Sequence, residues 1–250
     1  MRETLEALAA GDISVSVAEA RLAGYATGKT GRFDAAREDR NGVPEAVFAE
    51  GKPPEAVAEL LALAVETTGR GIATRVDEAT AEMVETRLDT AVEFDEHTGV
   101  LRAVSPEYNP PTLDSTVGIV TAGTVDAGPA GEAAAIAREM GATVEQYEDI
   151  GVAGIHRLFD QLDALAKTDV LVVAAGREGA LPTVVAGLVD APVIGLPTSS
   201  GYGYGGDGEA ALLGALQSCT VLSVVNINAG FVAGAQAGLI ARALDAAREE

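Results

Sequence analysis

Val117-Gly118-Ile119-Val120-Thr121, then the small-residue stretch Ala122-Gly123-Thr124-Val125-Asp126-Ala127-Gly128, then a helical period from Pro129 to Met140 and a strand-like run from Thr143 to Tyr147, decide the fold. A short β-branched run closed by small residues and followed by an amphipathic helix opens a βαβ repeat. The rhythm continues with a helix over Val152 to Ala166, a strand over Val170 to Ala174, a helix over Gly179 to Val189 and a strand over Val193 to Pro197. It ends with a helix over Glu209 to Ser218, a strand over Leu222 to Ile227 and a helix over Phe231 to Ala247. Strands separated by helices cannot pair as hairpins, so the pattern predicts an α/β fold, an open and mainly parallel three-layer α/β/α sheet.

Upstream, the three prolines of Ser105 to Asp114 mark a linker, which places the domain boundary near residue 113 and divides the chain into 1–113 and 114–250. The first part reads as a smaller α+β domain. Helices are expected over Met1 to Ala10, Ser16 to Ala23, Pro54 to Thr67 and Asp77 to Thr86, with strands over Ala46 to Ala49, Ile72 to Val76, Ala91 to Phe94 and Val100 to Val104.

The composition excludes several function classes. With 38 acidic against 17 basic residues, the formal charge of −21 repels a polyphosphate backbone, and five Phe, five Tyr and no Trp leave few stacking platforms for single strands. Nucleic acid is therefore not an expected partner. Lys29, Lys52 and Lys167 are the only lysines, and so many carboxylates with so little lysine read either as adaptation to a salt-rich cytoplasm or as an ordinary acidic enzyme. No window offers the ~18 uncharged apolar residues of a membrane span. A start of Met1-Arg2-Glu3 has no apolar signal core, and a single cysteine excludes an intramolecular disulfide. The expected location is cytoplasmic.

In such sheets ligands gather beyond the carboxyl ends of the strands. In the loop 121–129, backbone donors at a helix start could cradle a phosphate and Asp126 could bind ribose hydroxyls, or Thr124 or Asp126 could simply cap the helix. In Ala175-Gly176-Arg177-Glu178-Gly179, Arg177 and Glu178 could pair with each other, or Glu178 could carry protons with its pKa raised by partial burial. The loop from Pro197 to Gly208 holds five glycines, including Gly203, and reads either as a mobile functional loop or as a flexible connection. Arg157 could hold a phosphate, and its neighbour His156 could relay a proton or sit as an ordinary helix histidine. His97 reads as a solvated turn residue, and neither histidine forms a metal-ligand spacing with Cys219. Cys219 reads either as a small buried hydrophobe or as a nucleophile, and it precedes the last strand whereas the phosphate loop follows the first. Either that strand departs from the parallel pattern or a neighbouring subunit completes the site.

Together, Thr-Ala-Gly-Thr-Val-Asp (121–126), Gly-Val-Ala-Gly-Ile-His-Arg (151–157), Ala-Gly-Arg-Glu-Gly-Ala-Leu-Pro (175–182) and Gly-Tyr-Gly-Tyr-Gly-Gly-Asp-Gly-Glu-Ala (201–210) resemble the LarB family of nickel-pincer cofactor biosynthesis. Asp34, Arg37, Arg40, Gly42, Pro44 and Glu45, ending in Gly51-Lys52, are similar to the first domain of that family. The second half resembles the purine carboxylase PurE, with a flavodoxin-like sheet. The chain departs from these patterns in carrying Thr where the purine enzyme has Ser, and in lacking a proline within Thr220-Val221-Leu222.

The resemblance implies a pyridinium-3,5-biscarboxylic acid mononucleotide synthase, which carboxylates nicotinate adenine dinucleotide with CO2 and splits its phosphoanhydride to release AMP. It assigns the thiol that adds to the ring to Cys219, proton movement to Glu178, and a ribose-binding or second proton role to Asp126. Thr124 and Arg157 would hold phosphate, with Thr121, Gly123, His156, Gly176, Arg177 and Gly203 as further substrate-binding positions. It implies a homo-oligomer, an octamer as in the purine enzyme, and no tightly bound organic cofactor; magnesium could assist phosphoanhydride cleavage by neutralising charge, although the sequence shows no dedicated cage for it. The rival readings are a carboxylase or mutase acting on aminoimidazole ribonucleotide, which needs no thiol, and a nucleotide-binding module without turnover.

Overall fold

The computed structural model describes residues 1–249, with side chains through Arg248, as two compact units that divide between Asn109 and Pro110, inside the proline linker. In the first unit the elements run α1 (Arg2–Ala10), α2 (Val15–Ala23), β1 (Ala26–Thr27), β2 (Arg32–Phe33), α3 (Arg37–Asn41), β3 (Val47–Phe48), α4 (Pro54–Thr68), β4 (Arg70–Thr74), α5 (Glu78–Arg87), β5 (Ala91–Asp95) and β6 (Val100–Val104). The four-stranded sheet has the order β3-β4-β6-β5, with β3 and β4 parallel and the other pairs antiparallel.

Helix α4 starts at Pro54, where the missing donor costs nothing, ends on Gly69 at φ 80°, and buries Val57, Leu61 and Ala64 at helical spacing. Asp77 caps α5 by accepting the Thr80 N–H at 2.8 Å. Strand β4 begins two residues before the expected Ile72, because the buried Arg70 can enter the ladder once Glu38 accepts its guanidinium at 2.9 Å and the Tyr108 ring lies 5.0 Å from it. The hairpin β1–β2 and helix α3 were not read from the sequence. Within that segment Asp34 pairs with Arg40 and Arg37 with Glu45, both at 2.6 Å.

The second unit alternates β7 (Thr116–Thr121), α6 (Ala127–Glu139), β8 (Thr143–Tyr147), α7 (Ile155–Leu165), β9 (Val170–Ala175), α8 (Ala180–Ala186), β10 (Val193–Pro197), α9 (Glu209–Leu216), β11 (Ser223–Val224) and α10 (Gly230–Glu249). Short 3-10 turns at Thr124–Asp126 and Val152–Gly154 lead into α6 and α7. The sheet is parallel throughout, in the order β8-β7-β9-β10-β11. Alternation along β9 builds the layers. Val170, Val172 and Ala174 pack with Ala133 and Ala137 of α6 and Ala233 and Ala237 of α10, whereas Leu171, Val173 and Ala175 face Leu158 of α7 and Leu181 and Val185 of α8. This is the doubly wound, three-layer architecture that the βαβ rhythm predicts.

At Gly234 a Cβ would stand 2.3 Å from the Ala133 carbonyl oxygen, so glycine sets how closely α10 lies on α6. The expected strand Leu222–Ile227 is corrected to two residues. It is an edge with one neighbour, and beyond it the Asn226 side chain accepts the Ile227 N–H at 2.8 Å while Asn228 turns to φ 55°. Among the described residues no helix is long and apolar enough to cross a membrane.

Candidate functional site

Chain order reverses between β7 and β9: the chain leaves β7 for β8 on one side, and leaves β9 for β10 on the other. The loops leaving their carboxyl ends diverge there and open a crevice. A cavity of about 370 Å³ occupies it. Its walls are Ala122, Gly123, Val125 and Asp126 after β7, Gly151, Val152 and Ala153 after β8, Ala175 at the end of β9 with Gly176, Arg177 and Glu178 beyond it, Ala180 and Leu181 of α8, and Ser200 and Tyr202 after β10.

Asp126 is the most buried polar group of this wall, at 2% exposure. One carboxylate oxygen accepts the hydroxyls of Thr198 at 2.5 Å and Ser200 at 2.7 Å; the other accepts the Gly123 N–H at 3.0 Å. A carboxylate taken from water needs such donors, and these three tie the loop after β7 to the loop after β10. The oxygen facing Gly123 keeps a lone pair for one more donor, such as a ribose hydroxyl. The loop 121–129 thus turns part of its own polarity inward: its Gly123 N–H is spent on Asp126.

Backbone contact joins the loops after β9 and β10. A Cβ at Gly176 would fall 2.2 Å from the Ser200 hydroxyl, and one at Gly201 would fall 2.7 Å from the Arg177 nitrogen. Arg177 adopts φ 50°, which few side-chain-bearing residues do, and its guanidinium lies 4.0 Å from the centroid of the Tyr202 ring. Glu178 also lines the cavity but is exposed, so the burial that the sequence reading invoked for it is absent within one chain. The cause is its place after the strand end, where the chain turns out before α8.

Of the remaining sequence candidates, Thr121 is buried behind the wall, where its hydroxyl accepts the Asp149 N–H at 3.3 Å. Arg157 is paired with Asp149, and His156 is exposed on the first turn of α7; neither lines the cavity. Thr124 and Gly203 are exposed and also lie outside its lining. Cys219 is exposed in the turn between α9 and β11, where the neighbouring Thr220 hydroxyl donates to the Thr183 carbonyl of α8 at 3.3 Å. Because β11 runs parallel to β10, that turn stands at the amino end of the sheet and the cavity at the carboxyl end. An antiparallel last strand is thereby ruled out as the way to bring Cys219 to the site.

Sequence reasoning missed Thr198, Ser200 and Tyr202. Hydroxyls directly after a strand that ends in Pro197 were the available signal for the first two. Among the described residues no group of three or more His, Cys, Asp or Glu side chains could hold a metal ion.

Comparison with protein families matches residues 25–104 to the LarB/PurE-like N-terminal domain and residues 116–250 to AIR carboxylase. The uncharacterized protein MJ0165 of Methanocaldococcus jannaschii is 38% identical over 218 residues, covering 84% of this chain and 84% of the relative. The crystal structure of a Treponema denticola PurE2 variant is 17% identical and aligns with a TM-score of 0.39, covering 54% of this chain and 95% of that one.

Proposed function

Given that the chain belongs to the AIR carboxylase family, in its LarB-type form with a LarB/PurE-like N-terminal domain, we propose that it carboxylates the pyridinium ring of nicotinate adenine dinucleotide with CO2 and then cleaves the phosphoanhydride, giving pyridinium-3,5-biscarboxylic acid mononucleotide and AMP. The observation that carries this reading is the crevice at the β7–β9 switch point, walled by the LarB-like segments 121–126, 151–157 and 175–182, with a buried Asp126 able to take one more hydroxyl.

A pyridinium ring is too electron-poor to attack CO2. A thiolate adding at ring carbon 6 converts it to a neutral dienamine whose carbon 5 is nucleophilic. Carbon 5 then bonds to CO2, Glu178 accepts the proton from carbon 5, and the electron pair of that C–H bond re-forms the ring double bond as the carbon–sulfur bond breaks. The thiolate is regenerated and no oxidant is required. Water then attacks the phosphoanhydride and AMP departs. Asp126 holds the ribose, and Cys219 is supplied by a neighbouring copy, since in its own chain it stands at the far end of the sheet.

The exposed position of Cys219 outside the cavity favours a second reading, carboxylation of aminoimidazole ribonucleotide, which uses no thiol. Intact-protein mass spectrometry separates the two. With the dinucleotide and no bicarbonate, we expect a ligand-sized mass increase that Cys219→Ala abolishes. No adduct, together with consumption of aminoimidazole ribonucleotide by both proteins, would establish the second reading instead.

A further inference from the structure

Building on the proposed dinucleotide substrate, we propose that Tyr202, held by Arg177, is the platform on which the purine ring of the adenylate half stacks, with the edge of the Arg177 guanidinium turned to the phosphates. The cavity, at about 370 Å³, is at the low end of the ~300–1,000 Å³ range of ligand pockets. It has room for one nucleotide half, with its ribose on Asp126, and the other half must leave through the mouth. Arg177 and Tyr202 are wall residues exposed to solvent there.

Tyr202 is 77% exposed and takes no part in a buried core cluster, so its ring offers contact area that folding does not use. The Arg177 guanidinium lies 4.0 Å from its centroid and takes one face of the ring, and in a residue 77% exposed the other is the face we assign to a ligand. A base laid on that face gains stacking area, and the cation behind the ring favours an electron-rich heterocycle such as a purine. A guanidinium stacked through its face still carries its N–H donors around its edge, where two phosphate oxygens can be met at once.

Backbone contacts place the pair. Gly201 passes so close to Arg177 that a Cβ there would lie 2.7 Å from its nitrogen, and the φ of 50° at Arg177 fixes the direction of its side chain. These contacts put a cation and an aromatic ring in register at the mouth of a site whose product is AMP.

Calorimetric titration of the full-length protein with AMP and, separately, with nicotinic acid mononucleotide tests the assignment. Tyr202→Ala is expected to weaken AMP binding about tenfold or more while nicotinic acid mononucleotide changes by less than about twofold, and Tyr202→Phe is expected to keep AMP binding. Absence of AMP binding by the unaltered protein, unchanged AMP affinity in Tyr202→Ala, or equal loss of both ligands would overturn it. Carboxylation is scored separately. AMP binding that depends on Tyr202 in a protein that leaves the dinucleotide unreacted would sustain the platform and contradict the reaction, whereas turnover without that dependence would contradict the platform alone.

Discussion

Thr198 and Asp126, 72 residues apart in sequence, meet through a 2.5 Å hydrogen bond that fastens the loop after β10 to the loop after β7. The acceptor is a carboxylate at 2% exposure and the donor hydroxyl is at 1%, so both partners of the bond are buried. Thr198→Val keeps the shape and removes the donor. It should lower unfolding stability by about 1–3 kcal/mol, the cost of leaving a buried acceptor short of a partner, and Thr198→Ser should recover most of that loss. Urea unfolding of the three proteins measures it, and a valine variant as stable as its parent would show the bond to be dispensable.

Gly176 tests the close contact between the loops after β9 and β10. A Cβ there meets the Ser200 hydroxyl at 2.2 Å and the Gly201 nitrogen at 3.0 Å, so Gly176→Ala must part the two loops. We expect a stability loss of about 1–3 kcal/mol and weaker binding of the dinucleotide. Gly128→Ala is the control. That position lies in α6 with open space around it, and alanine should be neutral or stabilising by about 0.5–1 kcal/mol.

Asp169 gives a pH signature. The Arg248 guanidinium hydrogen-bonded to it holds its carboxyl below the usual range against the opposing effect of burial, and the Thr116 N–H, donating at 2.8 Å, lowers it further. A carboxyl depressed by folding stabilises the protein above its unfolded value of about 3.9, and that contribution is lost as pH falls through the lower folded value. Arg248→Gln should therefore be less stable than the parent at neutral pH, and the gap should close in acid below the carboxylate range. Unfolding midpoints across that range check it, and a gap that persisted in acid would assign it to packing.

The βαβ repeat was legible because β7, β9 and β10 are rich in β-branched residues and are separated by helical periods, and the layers on both faces of β9 follow from alternation. The loops after β7 and β9 were legible as walls of a crevice because strand order reverses between those strands and their loops diverge at the carboxyl ends. The hydroxyls of Thr198 and Ser200 were not, because their partner Asp126 is brought to them only by the parallel pairing of β7, β9 and β10. Arg70 misled the boundary of β4, since its charge is compensated by Glu38, 32 residues away. The parallel pairing of β11 could not be read from the two residues that form it, and it alone decides on which side of the sheet Cys219 stands.

The net charge of −21 predicts salt dependence. Carboxylates crowded on one surface repel in dilute buffer, and screening relieves the repulsion. The unfolding midpoint should rise from low to molar potassium chloride. A flat or falling midpoint would contradict adaptation to a salt-rich cytoplasm.

Mass spectrometry of the small molecules follows the proposed reaction itself. Nicotinate adenine dinucleotide is incubated with labelled bicarbonate and the protein in molar potassium chloride, beside Cys219→Ala. The unaltered protein alone should give a pyridinium mononucleotide bearing one labelled carboxylate in addition to its original one, together with AMP. Unchanged dinucleotide in the presence of folded protein, or the same products from Cys219→Ala, would contradict it.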